Sequence, residues 1–453
     1  MISSATKKPF IAIACGGTGG HLFPGIAVAE QLQQRGCEVA LLISPKDVDQ
    51  QAVKSALERR SVGVQASACS ADRLKPELQR AGAPLEVFTL PAVALQNKNY
   101  FSFATSCWNS YRASQKLFRQ RPPVAVLAMG GFTSAPPILA ARKFGAKTFL
   151  HESNTIPGRA NRLLARFVDE AFVGFPEAAA KLRAKKTSVT GTPVRPQFFH
   201  ESRITHHASA CRTALGLDSD RPTILVVGGS QGAHGLNEMI LSALPALTHH
   251  ALRITQVQWL HLTGANDFEK VRATYAALGI KAMVKPFLAE MELALGAATA
   301  CVSRSGASSL AEIAALRLPS ALVPLPTSAD NHQMSNALAF ERTGAAKLLE
   351  QNSPPEKVAA LLGELVEDSA VRGKIQAALA QWHAPQSAAE IAESILHSVN
   401  ALEHRSPTRR VGGQSRERRD WPPNSLKAEL QRAGSETGAP LDDSRALFKS
   451  TAA

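Results

Sequence analysis

Cysteine is scarce, with six residues among 453, scattered from Cys15 to Cys301 without a C-x-x-C pair or a histidine at metal-finger spacing. This excludes a disulfide framework or a zinc module and fits a reducing cytosol. Tyrosine and tryptophan are rare, at 3 and 4 residues. No apolar run suits a membrane span. One uncharged stretch, 122–141, has the ~20-residue length of a span, but it holds four prolines and two glycines. Met1 to Pro9 lead into glycines and lack the apolar core and cleavage site of a secretory signal. A soluble chain is expected. Acidic residues number 37 against 51 Lys and Arg, and the net charge of +14 favours an anionic partner: a nucleotide, a phospholipid surface or nucleic acid. With 45% hydrophobic residues the chain can fill complete cores, and ~100–200 residues per domain predicts two or three of them.

Short apolar runs recur at Phe10–Cys15, Glu38–Ile43, Val124–Met129, Lys147–His151, Thr223–Val227, Gln258–Leu262 and Ala321–Val323. Many end in glycine or a polar turn, and helical periods follow at Gly25–Gln34, Ala160–Phe167 and Ser308–Ala315. Strand, turn and helix in repetition predict an α/β fold, and continuous apolar strands predict parallel sheets covered on both faces. The pattern restarts. Gly16-Gly17-Thr18-Gly19-Gly20 follows the first strand, and Gly228-Gly229-Ser230-Gln231-Gly232 follows the strand at 223–227. Between them, 196–221 is polar, His-rich and weakly periodic, as an interdomain connection would be.

The expectation is two doubly wound, Rossmann-like domains, 1–195 and 196–400, facing each other across a cleft at the strand carboxyl ends. The last helices could pack back on the first domain. Residues 401–453 read as a flexible basic tail, since Arg405 to Arg419 holds six arginines against one glutamate. Within that tail, 426–434 nearly copies 74–82, a duplication without a physical account.

A glycine turn between strand and helix points backbone N–H groups and the positive helix end at a bound anion. Neither loop is a dinucleotide fingerprint: Leu22 and Ser230 occupy positions that need glycine. No P-loop occurs. His21, directly after the first loop, could take a proton from a hydroxyl nucleophile or merely bond a loop. Ser230 and Gln231 suit diphosphate oxygens, and Arg304-Ser305-Gly306-Ala307 forms another anion-friendly turn. Glu312 could accept two ribose hydroxyls, or simply favour a helix end. Asp330-Asn331-His332-Gln333 and Asn336 could read sugar hydroxyls or belong to a solvated loop.

Six motifs occur in order: Gly16–His21 with Pro24-Gly25, His151-Glu152-Ser153-Asn154, Gly191-Thr192-Pro193-Val194-Arg195, Gly228–Ala233, Arg304–Ala307 and Asp330–Gln333. Over roughly residues 9–395 the chain resembles the MurG family, undecaprenyldiphospho-muramoylpentapeptide N-acetylglucosaminyltransferases of the GT-B fold. The resemblance implies inverting transfer of N-acetylglucosamine from UDP-N-acetylglucosamine to the muramoyl C4 hydroxyl of lipid I, giving lipid II. It implies an acceptor-binding first domain and a donor-binding second one. Thr18, Gly19 and Gly20 would face the donor, with His21 the candidate base, although Glu152 or Asp330 could also serve. Asn154 and Arg195 match donor-contacting positions. Ser230 would meet the diphosphate, Glu312 the ribose, Gln333 the sugar hydroxyls, and the backbone at Phe287-Leu288 the uracil. Ser153 and Thr192 depart from the glutamine and asparagine of many members.

Six of the 25 aromatics (Tyr100, Phe101, Phe103, Trp108, Tyr111 and Phe118) fall within nineteen residues, interleaved with Arg112, Lys116, Arg119 and Arg121. Segment 100–121 is either a core-packed helix with a basic face or a contact with an anionic membrane surface. A lipid-linked acceptor favours the second, on the cytoplasmic face of the bacterial inner membrane. Asp47-Val48-Asp49 and Asp218-Ser219-Asp220 do not adjoin the donor loops, so no essential metal or other cofactor is expected. The alternatives are another GT-B glycosyltransferase, a UDP-N-acetylglucosamine 2-epimerase, or a non-catalytic nucleotide-sugar or nucleic-acid binder. Against nucleic acid, 401–453 contributes only +3 of the net charge and no recognition motif is found.

Overall fold

Every residue of β1 (Phe10–Ala14, sequence FIAIA) is buried, because this strand sits mid-sheet with cover on both faces. The computed structural model describes residues 8–403, apart from 17–18, 47–49, 51–52, 54–84, 92–99, 132, 200–207, 230–232 and 250–255. Of the expected tail, 401–403 are helical and 404–453 lie outside the described residues, as do both copies of the duplicated segment and the triplet at 47–49.

Among the described residues the first sheet joins β1 to β2 (Glu38–Ile43), β3 (Glu86–Thr89), β4 (Ala125–Ala128), β5 (Lys147–Glu152), β6 (Glu170–Val173) and β7 (Thr187–Val189). Their order is β3-β2-β1-β4-β5-β6-β7, parallel throughout. The second sheet holds β8 (Thr223–Val227), β9 (Gln258–Leu262), β10 (Ala282–Lys285), β11 (Ala300–Ser303), β12 (Ser320–Leu322) and β13 (Lys347–Leu348). Its order is β10-β9-β8-β11-β12-β13, again all parallel. In each sheet the winding reverses at the strand that a glycine loop follows, β1 between β2 and β4 and β8 between β9 and β11. A crevice opens outside the carboxyl ends at such a switch point.

The helices are α1 (Gly19–Gln34), α2 (Tyr100–Gln120), α3 (Ala135–Lys143), α4 (Arg159–Leu164), α5 (Pro176–Ala179), α6 (Ala208–Ala214), α7 (His234–His249), α8 (Phe268–Ala277), α9 (Met291–Ala297), α10 (Ala307–Ala315), α11 (His332–Arg342), α12 (Pro355–Glu367), α13 (Ser369–Leu379) and α14 (Ser387–Glu403). The uncharged stretch 122–141 is β4, a glycine turn and the start of α3, and no described helix is long and apolar enough to cross a membrane. The stretch 196–221 is more than a connection. It includes α6, whose Cys211 is buried and whose Arg212 Nε donates to the Ala297 carbonyl at 2.9 Å.

Ala388, Ile391, Ala392, Ile395 and Val399 make an apolar stripe along α14 at helical spacing. That stripe packs into the core of the first sheet beside Leu22, Ile26 and Leu32 of α1, so the chain ends its described course back on its first half. An aromatic seam joins the halves. Trp382 lies 4.5 Å from the Phe340 ring and 5.4 Å from the Phe175 ring.

Candidate active site

The end of β1 and the end of β4 are pinned together: Thr133 Oγ1 donates to the Gly16 carbonyl at 2.8 Å. His21, third residue of α1, lies over the turn that follows β4. A Cβ at Gly130 would sit 2.9 Å from His21 Cε1, and one at Gly131 3.2 Å from Cδ2. Both glycines have positive φ, +105° and +79°, so neither space nor backbone admits a side chain there. Ser308 of α10 reaches across from the second half and donates to the Gly20 carbonyl at 2.7 Å. His21 thus stands at the first switch point with the second half directly against its loop. Thr18 lies outside the described residues, and Gly19 and Gly20 open α1.

At the end of β5, His151 is fully buried and burial pushes its pKa down to about 4, so the ring is neutral near pH 7. Its Nε2 meets the Gly191 carbonyl at 3.0 Å and must carry the proton, which leaves Nδ1 to accept from Ser153 Oγ at 3.2 Å. Glu152, expected as a rival base, has no oxygen to spare. It accepts from Asn154 N, Asn154 Nδ2, Gly158 N and Asn161 Nδ2 at 2.8, 3.0, 2.9 and 2.7 Å. Asp330 is likewise engaged, by Arg159 and Arg162 of α4 at 3.2 and 3.0 Å.

Asn336, expected among the sugar readers, is a bridge. Fully buried, it accepts from Thr155 N and Thr155 Oγ1 at 3.0 Å each, and donates to Asn154 Oδ1 at 3.0 Å and the Ser305 carbonyl at 3.1 Å. It locks the β5 loop of one half to the β11 loop of the other. Asn154 keeps one N–H and one lone pair for a ligand after these bonds.

Beyond β8 a cavity of about 360 Å³ is lined by Gly228, His234, Arg304, Thr327, Gln333 and Gln351, among others. Ser230 and Gln231 lie outside the described residues. Arg304 is 5% exposed. Its Nη1 donates to the carbonyls of Val323 and Pro324 and its Nη2 to Gln351 Oε1, so none of these bonds reaches a carboxylate. Burial lowers its pKa, yet a guanidinium stays charged. Gln333 Oε1 accepts from Leu325 N at 3.0 Å, which leaves the NH₂ end as the donor for a hydroxyl.

Residues 11–173 match the glycosyltransferase family 28 N-terminal domain, and residues 223–395 match the glycosyltransferase family 28 C-terminal domain. The crystal structure of Acinetobacter baumannii MurG superposes with a TM-score of 0.61 at 25% identity, covering 86% of this chain and all of that one. A Pelobacter propionicus protein, a UDP-N-acetylglucosamine–N-acetylmuramyl-(pentapeptide) pyrophosphoryl-undecaprenol N-acetylglucosamine transferase, is 36% identical over 373 residues, 79% of this chain and 91% of that protein. The chain belongs to the MurG family. The Neisseria meningitidis UDP-GlcNAc 2-epimerase bound to UDP-GlcNAc shares the fold at 14% identity and a TM-score of 0.60, covering 86% of this chain and all of that one.

The remaining residues expected from the MurG resemblance divide into two places. Arg195, 3% exposed, stacks over the Phe23 ring at 4.3 Å, and its Nη2 lies 3.7 Å from Glu312 Oε1. Burial raises the Glu312 pKa, against the pull of Arg195, and Glu292 adds to the rise. Arg195 and Glu312 therefore form a pair at α1 and α10, whereas Gln333 and Arg304 belong to the cavity. Leu288 is buried and Phe287 is 63% exposed. Among the described residues no cluster of three or more His, Cys, Asp or Glu is gathered as a metal site. In α2, Ser106, Ser110, Ser114 and Phe118 are buried, and Arg121 is held by Glu38 and Glu86. Phe118 and Arg121 thus leave the expected membrane face, and among the described large apolar side chains of α2 the exposed ones are Phe101 (81%) and Trp108 (59%).

Proposed function

We propose that this MurG-family chain transfers N-acetylglucosamine from UDP-N-acetylglucosamine to the C4 hydroxyl of the muramoyl residue of lipid I, with inversion, forming lipid II for peptidoglycan. The observation that carries the reading is His21, seated over Gly130 and Gly131 and tied through Gly20 to Ser308 on the helix that bears Glu312. The family relationship supports the choice of donor and acceptor.

The chemistry is a single displacement. His21 takes the acceptor hydroxyl's proton while negative charge builds on the departing UDP. The N-terminus of α7 and the buried Arg304 supply fixed positive potential for that charge without a metal. Ser230 meets the diphosphate, Glu312 the ribose, Gln333 the sugar hydroxyls, and the backbone at Phe287-Leu288 the uracil. Thr18, Gly19 and Gly20 face the donor, and Asn154 and Arg195 touch it at its first-domain side. Phe101 and Trp108, with Arg112, Lys116 and Arg119, rest in the anionic cytoplasmic surface of the inner membrane, near the acceptor's lipid.

Purified protein with radiolabelled UDP-N-acetylglucosamine, with and without a short-chain lipid I analogue, tests the reading. Label passing into lipid only when the acceptor is present supports it. Epimerised sugar without acceptor, or no donor binding, refutes it.

A further inference from the structure

The cavity beyond β8 carries a side-chain pair to which the reading above gives no role. His234 is the first residue of the sixteen-residue helix α7, with its side chain 72% exposed and on the cavity wall. Its Nδ1 lies 3.0 and 3.2 Å from the two oxygens of Asp267. Asp267 is itself only 9% exposed and accepts from Asn237 Nδ2 at 2.7 Å. Asn237 is anchored in turn to the Thr263 carbonyl and to His261 Nε2. The carboxylate is thus built in, and it fixes the proton on Nδ1, leaving Nε2 as the nitrogen that can meet a ligand.

A second observation points to an anion. Arg304, 5% exposed, lines the same cavity; among the described residues its Nε has no hydrogen-bond partner and the cavity lining holds no carboxylate. Besides Asp267, which sits at the start of α8, Lys270 of α8 and Glu238 of α7 lie on the same two helices, and Arg304 lines the same cavity. Lys270 and Glu238 pair with each other at 2.6 Å, so Asp267 and Arg304 set the balance. A buried cation and a helix N-terminus on one wall suit an oxyanion with several oxygens.

We propose that His234, oriented by Asp267, donates Nε2–H to the terminal phosphate of the nucleoside diphosphate, so that this phosphate is read by a side chain as well as by the glycine loop. The inference rests on the donor reading given above. With Nδ1–H held by Asp267, the Nε2–H contact is made by the imidazolium.

Calorimetric titration of the full chain with UDP and with uridine tests this. His234→Ala weakens UDP binding about tenfold, the size of one charge-assisted hydrogen bond, and leaves uridine binding unchanged. Asp267→Asn lowers UDP affinity in the same direction. Equal UDP affinity in wild type and His234→Ala, or equal losses for UDP and uridine, overturns the inference while leaving the donor site standing. Failure of the wild type to bind UDP overturns both.

Discussion

Asn336→Ala is the sharpest perturbation of the cleft. It deletes four hydrogen bonds at a fully buried position and strands the Thr155 N–H, the Ser305 carbonyl and Asn154 Oδ1. Four bonds at ~1 kcal/mol net each, with stranded groups at ~1–3 kcal/mol partly rescued by water in the vacated space, give a loss of about 3–5 kcal/mol. For a unit of about 400 residues at ~2.1 cal/mol/K per residue, that lowers Tm by about 5 °C. Asn336→Asp keeps the acceptor for Thr155 but turns a charge toward Asn154 Oδ1 and the Ser305 carbonyl, and should lose at least as much. Asn154 cannot rotate its amide to compensate without giving up its bond to Glu152. Both variants should also raise the donor KM, because the β5 and β11 loops lose their common anchor. Scanning calorimetry with donor kinetics checks this. A Tm within about 1 °C of wild type and an unchanged KM would refute the bridge.

Acid should destabilise the fold through two histidines held neutral by burial. His151 falls from 6.5 to about 4 and His261 from 6.5 to about 3. The unfolded chain takes up these protons first, so their contribution is complete above pH 6.5 and is lost as pH falls toward 4 and 3. At pH 5 each has lost about 2 kcal/mol; a urea midpoint equal at pH 8 and pH 5 contradicts this. Replacing Phe101 and Trp108 together by serine should cut binding to anionic vesicles tenfold or more, at ~1.5–3 kcal/mol per buried side chain. Transfer to a water-soluble acceptor should survive it, and undiminished vesicle binding counts against α2 as the contact. Chelation of divalent metals should leave transfer intact. Activity that returns only with Mn²⁺ or Mg²⁺ contradicts the metal-free displacement.

The central strands were legible in the sequence because burial on both faces makes them continuous apolar runs, as in β1, β4 and β8. β3 and β10 were not, since edge strands keep one side open and mix charge with apolar residues, as in Glu86–Thr89 and Ala282–Lys285. Helix α6 hid in a polar segment because seven residues carry too little periodicity. The glycine turns after β1 and β8 were legible too, and they fall where the winding of each sheet reverses. Partnerships across the chain left no local signal. Asn336 and Thr155 are 181 residues apart, and Arg195 and Glu312 become a pair only when the loop after β7 meets α10. The His234–Asp267 pair was missed for the same reason.

The most direct test of the account is the kinetics of His21→Ala, with single-turnover transfer and donor affinity measured on the same preparation. Loss of the base should slow transfer by about 10²–10⁴-fold while UDP-N-acetylglucosamine binds as before. A transfer rate equal to wild type, or a fall matched by an equal loss of donor affinity, would contradict it.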